Sequence, residues 1–387
     1  MLNVIIATLC LISIFLIVYH HLFYPLILGR LGKPGVEADE SGDVPRVTDD
    51  ELPSITLIIP AYNEEKYIAD KIRNIGAMDY PAHKVTVRIV GDGCVDQTFS
   101  IACDTANEEE CRHLNISIRG FRNNRGKAMV LNEALLDADS DIIVFSDVSA
   151  LVSLDALRII GSRFLEPTVG VISSNYRLLN PGSQGESSYW SYQRKLKQRE
   201  SSLGGLLGAH GAFYAFRREL FEPFEPDTIN DDFILPMRIV ARGYKGIYAS
   251  DINALELEQS TRQLDVKRRK RIAAGNVQQA IRLRRLLAPG FGALAFTFGS
   301  GKVLRVAMPW LMLVALFSSL WLSMESAFFA LLAGAQVGVY VIAALTHFSR
   351  NDKTNKLFST IHYLVSGHLS NMLGAITYLN NRSQRLF

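Results

Sequence analysis

The chain has 387 residues, 48% of them hydrophobic, and a formal net charge of +3. That is too apolar for an ordinary soluble protein, too charged for a bundle of membrane helices alone, and too near neutrality for the strongly basic face that nucleic acid requires. Four cysteines, Cys10, Cys94, Cys103 and Cys111, form no C-x-x-C pair and have no histidines at zinc spacing, which speaks against a disulfide framework or a zinc cluster and fits a reducing compartment.

Leu2 to Leu28 is one nearly uncharged apolar run, long enough for a membrane helix of about 20 residues. A cleaved signal peptide needs a basic beginning and small residues at its cleavage site. This run has no basic beginning, and His20, His21 and Tyr24 stand where small residues are needed. Residues 1–29 are therefore expected to be an anchor, and Arg30 and Lys33 just after it assign the next segment to the cytosol. Residues 30–52, rich in Gly, Pro, Asp and Glu without hydrophobic period, read as a linker.

A different pattern follows over 53–290. Ile55 to Ile59 ended by Pro60, Val85 to Val90 ended by Gly91, and Ile142 to Phe145 ended by Ser146 and Asp147 are short β-branched runs separated by polar, helix-like stretches. The alternation predicts an α/β domain with a mostly parallel sheet, in which ligands bind beyond the carboxyl ends of the strands. The segments Pro60-Ala-Tyr-Asn-Glu-Glu65 and Gly91-Asp-Gly-Cys-Val-Asp-Gln-Thr98 fall there, although each alone also reads as an ordinary turn or cap. Asp147 falls on the same rim; it is suited to a hard divalent cation shared with phosphate oxygens, or to capping a helix.

Further on, Thr228-Ile-Asn-Asp-Asp-Phe233 sets two acids before a hydrophobic stretch, and Asp231 or Asp232 is expected to cap the helix suggested by Phe233 to Val240. The other is left to remove a proton from a hydroxyl. Lys267-Arg-Arg-Lys-Arg271 reads either as a lipid-headgroup stripe or as a diphosphate clamp, and the two roles are compatible. Residues 291–387 return to apolar character. Val303 to Ser323 and Ala327 to Thr346 are expected to be two antiparallel spans, and the basic loop with Arg350, Lys353 and Lys356 to be cytosolic. Leu357 to Leu379, with His362, His368 and Asn371, is left open between crossing, re-entering and lying in the interface.

Taken in order, Pro60-Ala-Tyr-Asn-Glu, Asp92-Gly-Cys-Val-Asp-Gln-Thr, Arg125-Gly-Lys-Ala, Asp147-x-Ser, Asn230-Asp-Asp and the run from Arg268 to Arg271 resemble the successive motifs of glycosyltransferase family 2, over about Ser54 to Pro309. The layout of anchor, catalytic domain and C-terminal spans is similar to its membrane-bound branch, the cellulose, chitin and hyaluronan synthases and related exopolysaccharide transferases. The resemblance implies a GT-A fold and inverting transfer of a sugar from a nucleotide diphosphate, a UDP-sugar by expectation, to a polysaccharide or glycan acceptor. It implies that Pro60, Tyr62, Glu64 and Asp92 border the nucleoside, that Lys127 lies near the donor, and that Asp147 is the first acid of the DxD motif, holding Mg2+ or Mn2+. Asp232 would be the general base with Asp231 beside it, and Arg268, Arg269 and Arg271 would bind the diphosphate. His210, Gly211 and Trp190 fall where relatives line the acceptor channel.

Three motifs depart from the family pattern. Gly91 stands for the first acid of Asp-Asp-Gly and Ser149 for the second acid of DxD, while Arg268 and Ile272 take the glutamine and tryptophan places of the last motif. The missing tryptophan leaves processive synthesis open. Single transfer to a lipid acceptor and a catalytically dead nucleotide-binding scaffold are the alternatives; a transporter has nothing in its favour. The expected setting is the plasma (inner) membrane, with membrane lipids as neighbours, the catalytic domain in the cytosol, and room for an export or polymerisation partner because three or four spans are few for a private polymer channel.

Overall fold

A computed structural model describes residues 1–32, 47–179, 184–204, 206–258, 262–348 and 356–380. The chain divides into two compact units, a sheet unit of residues 32–181 and 193–259 and a helical unit of residues 1–31, 182–192 and 260–386.

Among the described residues, the sheet unit is built on eight strands: β1 (Ile55–Ala61), β2 (Val85–Asp92), β3 (Asn115–Phe121), β4 (Ile142–Ser146), β5 (Ala150–Val152), β6 (Val169–Leu178), β7 (Phe213–Arg217) and β8 (Lys245–Glu256). They lie in the order β3-β2-β1-β4-β7-β6-β8-β5. Neighbours are parallel at β3/β2, β2/β1, β1/β4 and β6/β8, and antiparallel at β4/β7, β7/β6 and β8/β5. The sheet is thus mixed and mostly parallel. The chain runs outward from β1 through β2 to β3, then returns to lay β4 on the other side of β1. That reversal is a topological switch point, where open α/β sheets hold ligands. The β-branched runs form the centre because they are buried on both faces: Leu57, Ile58 and Ile59 have no exposed surface, each contributing about 1.5–3 kcal/mol of burial.

Three boundaries differ from the sequence reading. Pro60 does not end its strand; it sits within β1 opposite Val90, and β2 runs through Gly91 to Asp92. Nor does either acid of Asp231-Asp232 cap a helix. The N-cap is Asn230, and helix Asp231–Ala241 takes both acids into its first turn, where the positive end of the helix dipole favours carboxylates.

Among the described residues of the helical unit, three segments are long and apolar enough to cross a membrane: Leu2–Leu31, Ala293–Leu322 and Ala327–Phe348. The first two each contain a widened π turn, Tyr19–Phe23 and Phe298–Val303, shortly before Pro25 and Pro309, and such turns accommodate a ring that lacks an N–H and crowds the preceding carbonyl. Helix Leu2–Val18 packs along helix Leu304–Leu322. The pairing is fastened at one end by the Asn3 amide, which donates to the Glu325 carboxylate at 2.7 Å and accepts from the Trp321 indole at 3.3 Å. Leu331, Leu345, Phe317 and Trp321 stay exposed, as lipid-facing residues do. Helix Lys356–Asn380 packs on helices Arg262–Arg282 and Ala327–Phe348 and is less apolar than the three candidate spans.

Candidate active site

The parallel strands β1, β2 and β4 deliver their carboxyl ends to one rim. The loops after β1 and β2 are laced together there: Val95 N–H donates to Asn63 Oδ1 at 2.9 Å, Glu64 N–H to Thr98 Oγ1 at 2.8 Å, and Glu65 N–H to Asp96 Oδ2 at 3.1 Å. Asn63 takes a left-handed backbone with φ 56°, a conformation asparagine tolerates better than most residues. Tyr62 remains exposed beside it. Asp92, almost fully buried, accepts from the backbone N–H groups of Arg125 and Gly126 at 2.7 and 2.9 Å. Its carboxylate therefore fixes the Arg125-Gly-Lys127 segment to the rim, a role the sequence did not reveal.

Lys127 reaches from that segment to the acids. Its ammonium donates to Asp147 Oδ1 at 2.7 Å and lies 3.8 Å from Asp231 Oδ1. The antiparallel course of β7 explains what faces them. Its amino end lies at the same rim as the carboxyl end of β4, with Ser146 opposite Phe213, so the preceding His210-Gly-Ala212 segment passes beside Asp147. Gly211 N–H donates to Asp232 Oδ2 at 3.0 Å, and Ala209 N–H to the Asp232 carbonyl at 2.8 Å. A Cβ at Gly211 would stand 3.3 Å from Asp232 Oδ2 and 3.7 Å from Asp147 Oδ2. Two carboxylates from β4 and helix Asp231–Ala241 thus approach each other across a residue with no side chain. Asp231 is turned inward, accepting from the buried Tyr214 hydroxyl at 3.0 Å.

Charge follows from this crowding. Burial, then the negative charges of Asp147, Glu258, Glu256 and Asp96, push the Glu64 carboxyl up to about 7. Burial pulls the Lys127 ammonium down, but Asp147, Asp231 and Asp232 outweigh it and raise its pKa above the ordinary lysine value. Burial and the Asp231 charge raise the Tyr214 phenol well above its ordinary range, so it stays a hydrogen-bond donor.

The structure brings Pro60, Tyr62, Glu64, Asp92, Lys127, Asp147, Asp231, Asp232, His210 and Gly211 into the sheet unit. The His210 ring stacks on Tyr176 with centroids 3.7 Å apart, and its Nδ1 accepts from Ala212 N–H at 3.3 Å. Arg268, Arg269 and Arg271 belong to helix Arg262–Arg282 of the helical unit, where the Arg269 guanidinium lies 4.2 Å from the centroid of the Tyr363 ring, over its face. Trp190 lies on helix Gln184–Gly204, its side chain outside the described residues. Two buried groups beside the acids, Tyr214 and Lys71, escaped the sequence reading altogether. Lys71 is fully enclosed, and burial, opposed by Asp147 and Glu256, draws its pKa down to about 7.

No cluster of three or more metal-ligating side chains occurs among the described residues. A divalent ion therefore fits this rim only if a ligand supplies most of its oxygens, as magnesium commonly requires. Asp147 suits that arrangement: one of its oxygens is held by Lys127, while no hydrogen bond is made by Oδ2 among the described residues.

A family model described as "Glycosyltransferase like family 2" matches residues 53–275. A poly-beta-1,6-N-acetyl-D-glucosamine synthase of Staphylococcus aureus is 25% identical over 209 residues, covering 52% of this chain and 49% of that protein. A beta-monoglucosyldiacylglycerol synthase of Synechocystis is 27% identical over 200 residues, covering 50% and 41%. The chain thus spans half or less of the length of these curated relatives. Among solved structures, a mannosyltransferase from Pyrobaculum calidifontis in complex with GDP-Man and Mn2+ is similar over 97% of this chain and 100% of its own, with a TM-score of 0.74 and 26% identity.

Proposed function

Because the chain belongs to glycosyltransferase family 2, we propose that this GT-A enzyme transfers a sugar with inversion from a nucleoside diphosphate to an acceptor hydroxyl at the cytosolic face of the plasma (inner) membrane. The observation that carries the reading is the convergence of Asp147, Lys127, Asp231 and Asp232 around Gly211 at the switch point of the sheet.

The acceptor oxygen attacks the anomeric carbon as the bond from that carbon to the diphosphate breaks. The proton of the acceptor hydroxyl passes to Asp232, whose orientation is fixed by the Gly211 amide. Tyr214 holds Asp231 turned inward beside Asp232, and Lys127 offsets the negative charge of Asp147 and Asp231 so that a diphosphate can approach. A Mg2+ or Mn2+ ion held by Asp147 and the diphosphate would stabilise charge on the leaving group. Arg268, Arg269 and Arg271 are assigned to the diphosphate; Pro60, Tyr62, Glu64 and Asp92 to the nucleoside; and His210, Gly211 and Trp190 to the acceptor side. With residues 53–290 as the catalytic domain, residues 1–29 and 291–387 would hold it at the bilayer.

The donor is either a uridine or a guanosine diphosphate sugar; the likeness along the whole chain to a protein solved with GDP-Man supports the second as well as family precedent supports the first. Elongation of a polysaccharide, with an export partner, is the favoured acceptor chemistry. Transfer of one sugar to a lipid is the second reading, supported by Ile272 in the tryptophan place and by the Synechocystis relative. The test is to offer UDP- and GDP-sugars with Mg2+ or Mn2+ to the purified chain with membrane lipids and to size the products by mass spectrometry. Consumption of one donor is expected. Binding of nucleotide with no donor consumed would leave a scaffold in its place.

A further inference from the structure

Lys71 lies on helix Ile68–Gly76, whose buried face is formed by Ile68, Ile72 and Ile75. The helical period turns Lys71 onto that same face, and its side chain is completely enclosed. Its ammonium donates to two acceptors, Ser146 Oγ at 2.6 Å and the Ala150 carbonyl at 2.6 Å. Ser146 ends β4 and Ala150 begins β5, so the two bonds clamp the flanks of the turn Asp147-Val148-Ser149. Ser146 Oγ in turn donates to the Ala212 carbonyl at 3.0 Å, which also accepts from Asp147 N–H at 3.1 Å. Ala212 adjoins Gly211, whose amide holds Asp232. One turn further along the helix, the Asn74 amide exchanges hydrogen bonds with Val152 N–H and carbonyl at 2.8 and 2.9 Å, fastening the same helix to β5.

A buried amine is costly, and an apolar side chain of similar length would fill the space without that penalty. What the amine adds is a fixed link from the helix to both sides of the turn. We infer that Lys71 is a positioning residue of the donor site, fixing the Asp147-Val148-Ser149 turn so that the Asp147 carboxylate is preset for a metal-bound diphosphate. Such a strut matters most in a chain where Ser149 stands for the second acid and only one carboxylate sets the geometry. The inference rests on the reading of Asp147 as the donor-side acid.

The experiment uses the full chain in nanodiscs, comparing Lys71→Met, Ser146→Ala and Asp147→Ala. Mn2+ binding is followed by electron paramagnetic resonance in the presence of UDP and of GDP, and hydrogen exchange of the turn is measured without metal. Lys71→Met is expected to speed exchange in residues 147–150 and to weaken Mn2+ binding by about ten- to a hundredfold, as loss of an outer-shell partner commonly does. Nucleotide binding in chelator should be unchanged, a split that general loosening of the fold would not give. Ser146→Ala should act in the same direction, with a combined loss smaller than the product of the two, and it carries the test alone if Lys71→Met does not fold. Native Mn2+ affinity in the Lys71 and Ser146 variants, with affinity lost in Asp147→Ala, overturns the inference and leaves the site reading intact. Native affinity in Asp147→Ala as well overturns both.

Discussion

At the scale of single residues, the rim concentrates negative charge, and two side chains report how it is managed. Glu64 carries a folded pKa of about 7 against an ordinary 4.5, raised first by burial and then by neighbouring carboxylates. Its contribution to stability is therefore complete at low pH and is lost as pH rises through about 7. Melting curves of the wild type and Glu64→Gln should diverge over that window, the wild type losing thermal stability with rising pH more steeply than the variant. Parallel curves would mean that Glu64 ionises as freely as a solvated carboxylate. Gly211 reports the spacing: a Cβ there meets Asp232 Oδ2 at 3.3 Å, tighter than ordinary contact but not against rigid backbone. Gly211→Ala should therefore fold with nearly native melting and lose at least about tenfold in kcat, because small displacements of catalytic groups are costly. Asp147, Asp231 and Asp232 were legible as candidates because they stand where a strand ends and a helix begins. Lys71 was not, because a lysine on an amphipathic helix reads as solvent-facing, and only packing against β4 and β5 encloses it.

At the scale of elements, the site depends on loops whose courses are set by backbone. Gly93 has φ 74°, and a Cβ there would lie 2.6 Å from the Asn124 amide nitrogen. Gly93→Ala should cost about 1–2 kcal/mol from the left-handed conformation alone and should also push the Asn124 segment away, weakening the grip of Asp92 on Arg125 and Gly126. The readouts are a lower melting temperature and weaker nucleotide binding, and native values for both would show that the loop rearranges freely. The parallel half of the sheet was legible from the three β-branched runs. The antiparallel β7, which brings Gly211 beside Asp147, was not, because strand direction is set by pairing across more than 60 residues and leaves no local mark. The helix starting at Asp231 was foreseen, but its cap was misread: Asn230 is an equally good cap, and both acids gain from the helix dipole within the first turn.

At the scale of the molecule, three apolar segments frame the sheet unit in the chain, and the first packs on the second. A chain lacking residues 1–31 should still resist alkaline extraction from membranes, because Ala293–Leu322 and Ala327–Phe348 remain, but should melt lower once Asn3 no longer joins Glu325 and Trp321. Release into the supernatant would contradict this reading of the C-terminal segments. Composition and the runs at either end were enough to expect a membrane enzyme, whereas the allocation of helix Arg262–Arg282 to the helical unit needed its packing against helix Lys356–Asn380. The most direct test of the account is transfer by Asp232→Asn beside the wild type, with donor binding measured on the same preparations. The account predicts transfer reduced by about 100- to 10,000-fold, the usual worth of a general base, with nucleotide affinity retained. Near-native transfer by the variant would contradict it and move the proton acceptor elsewhere.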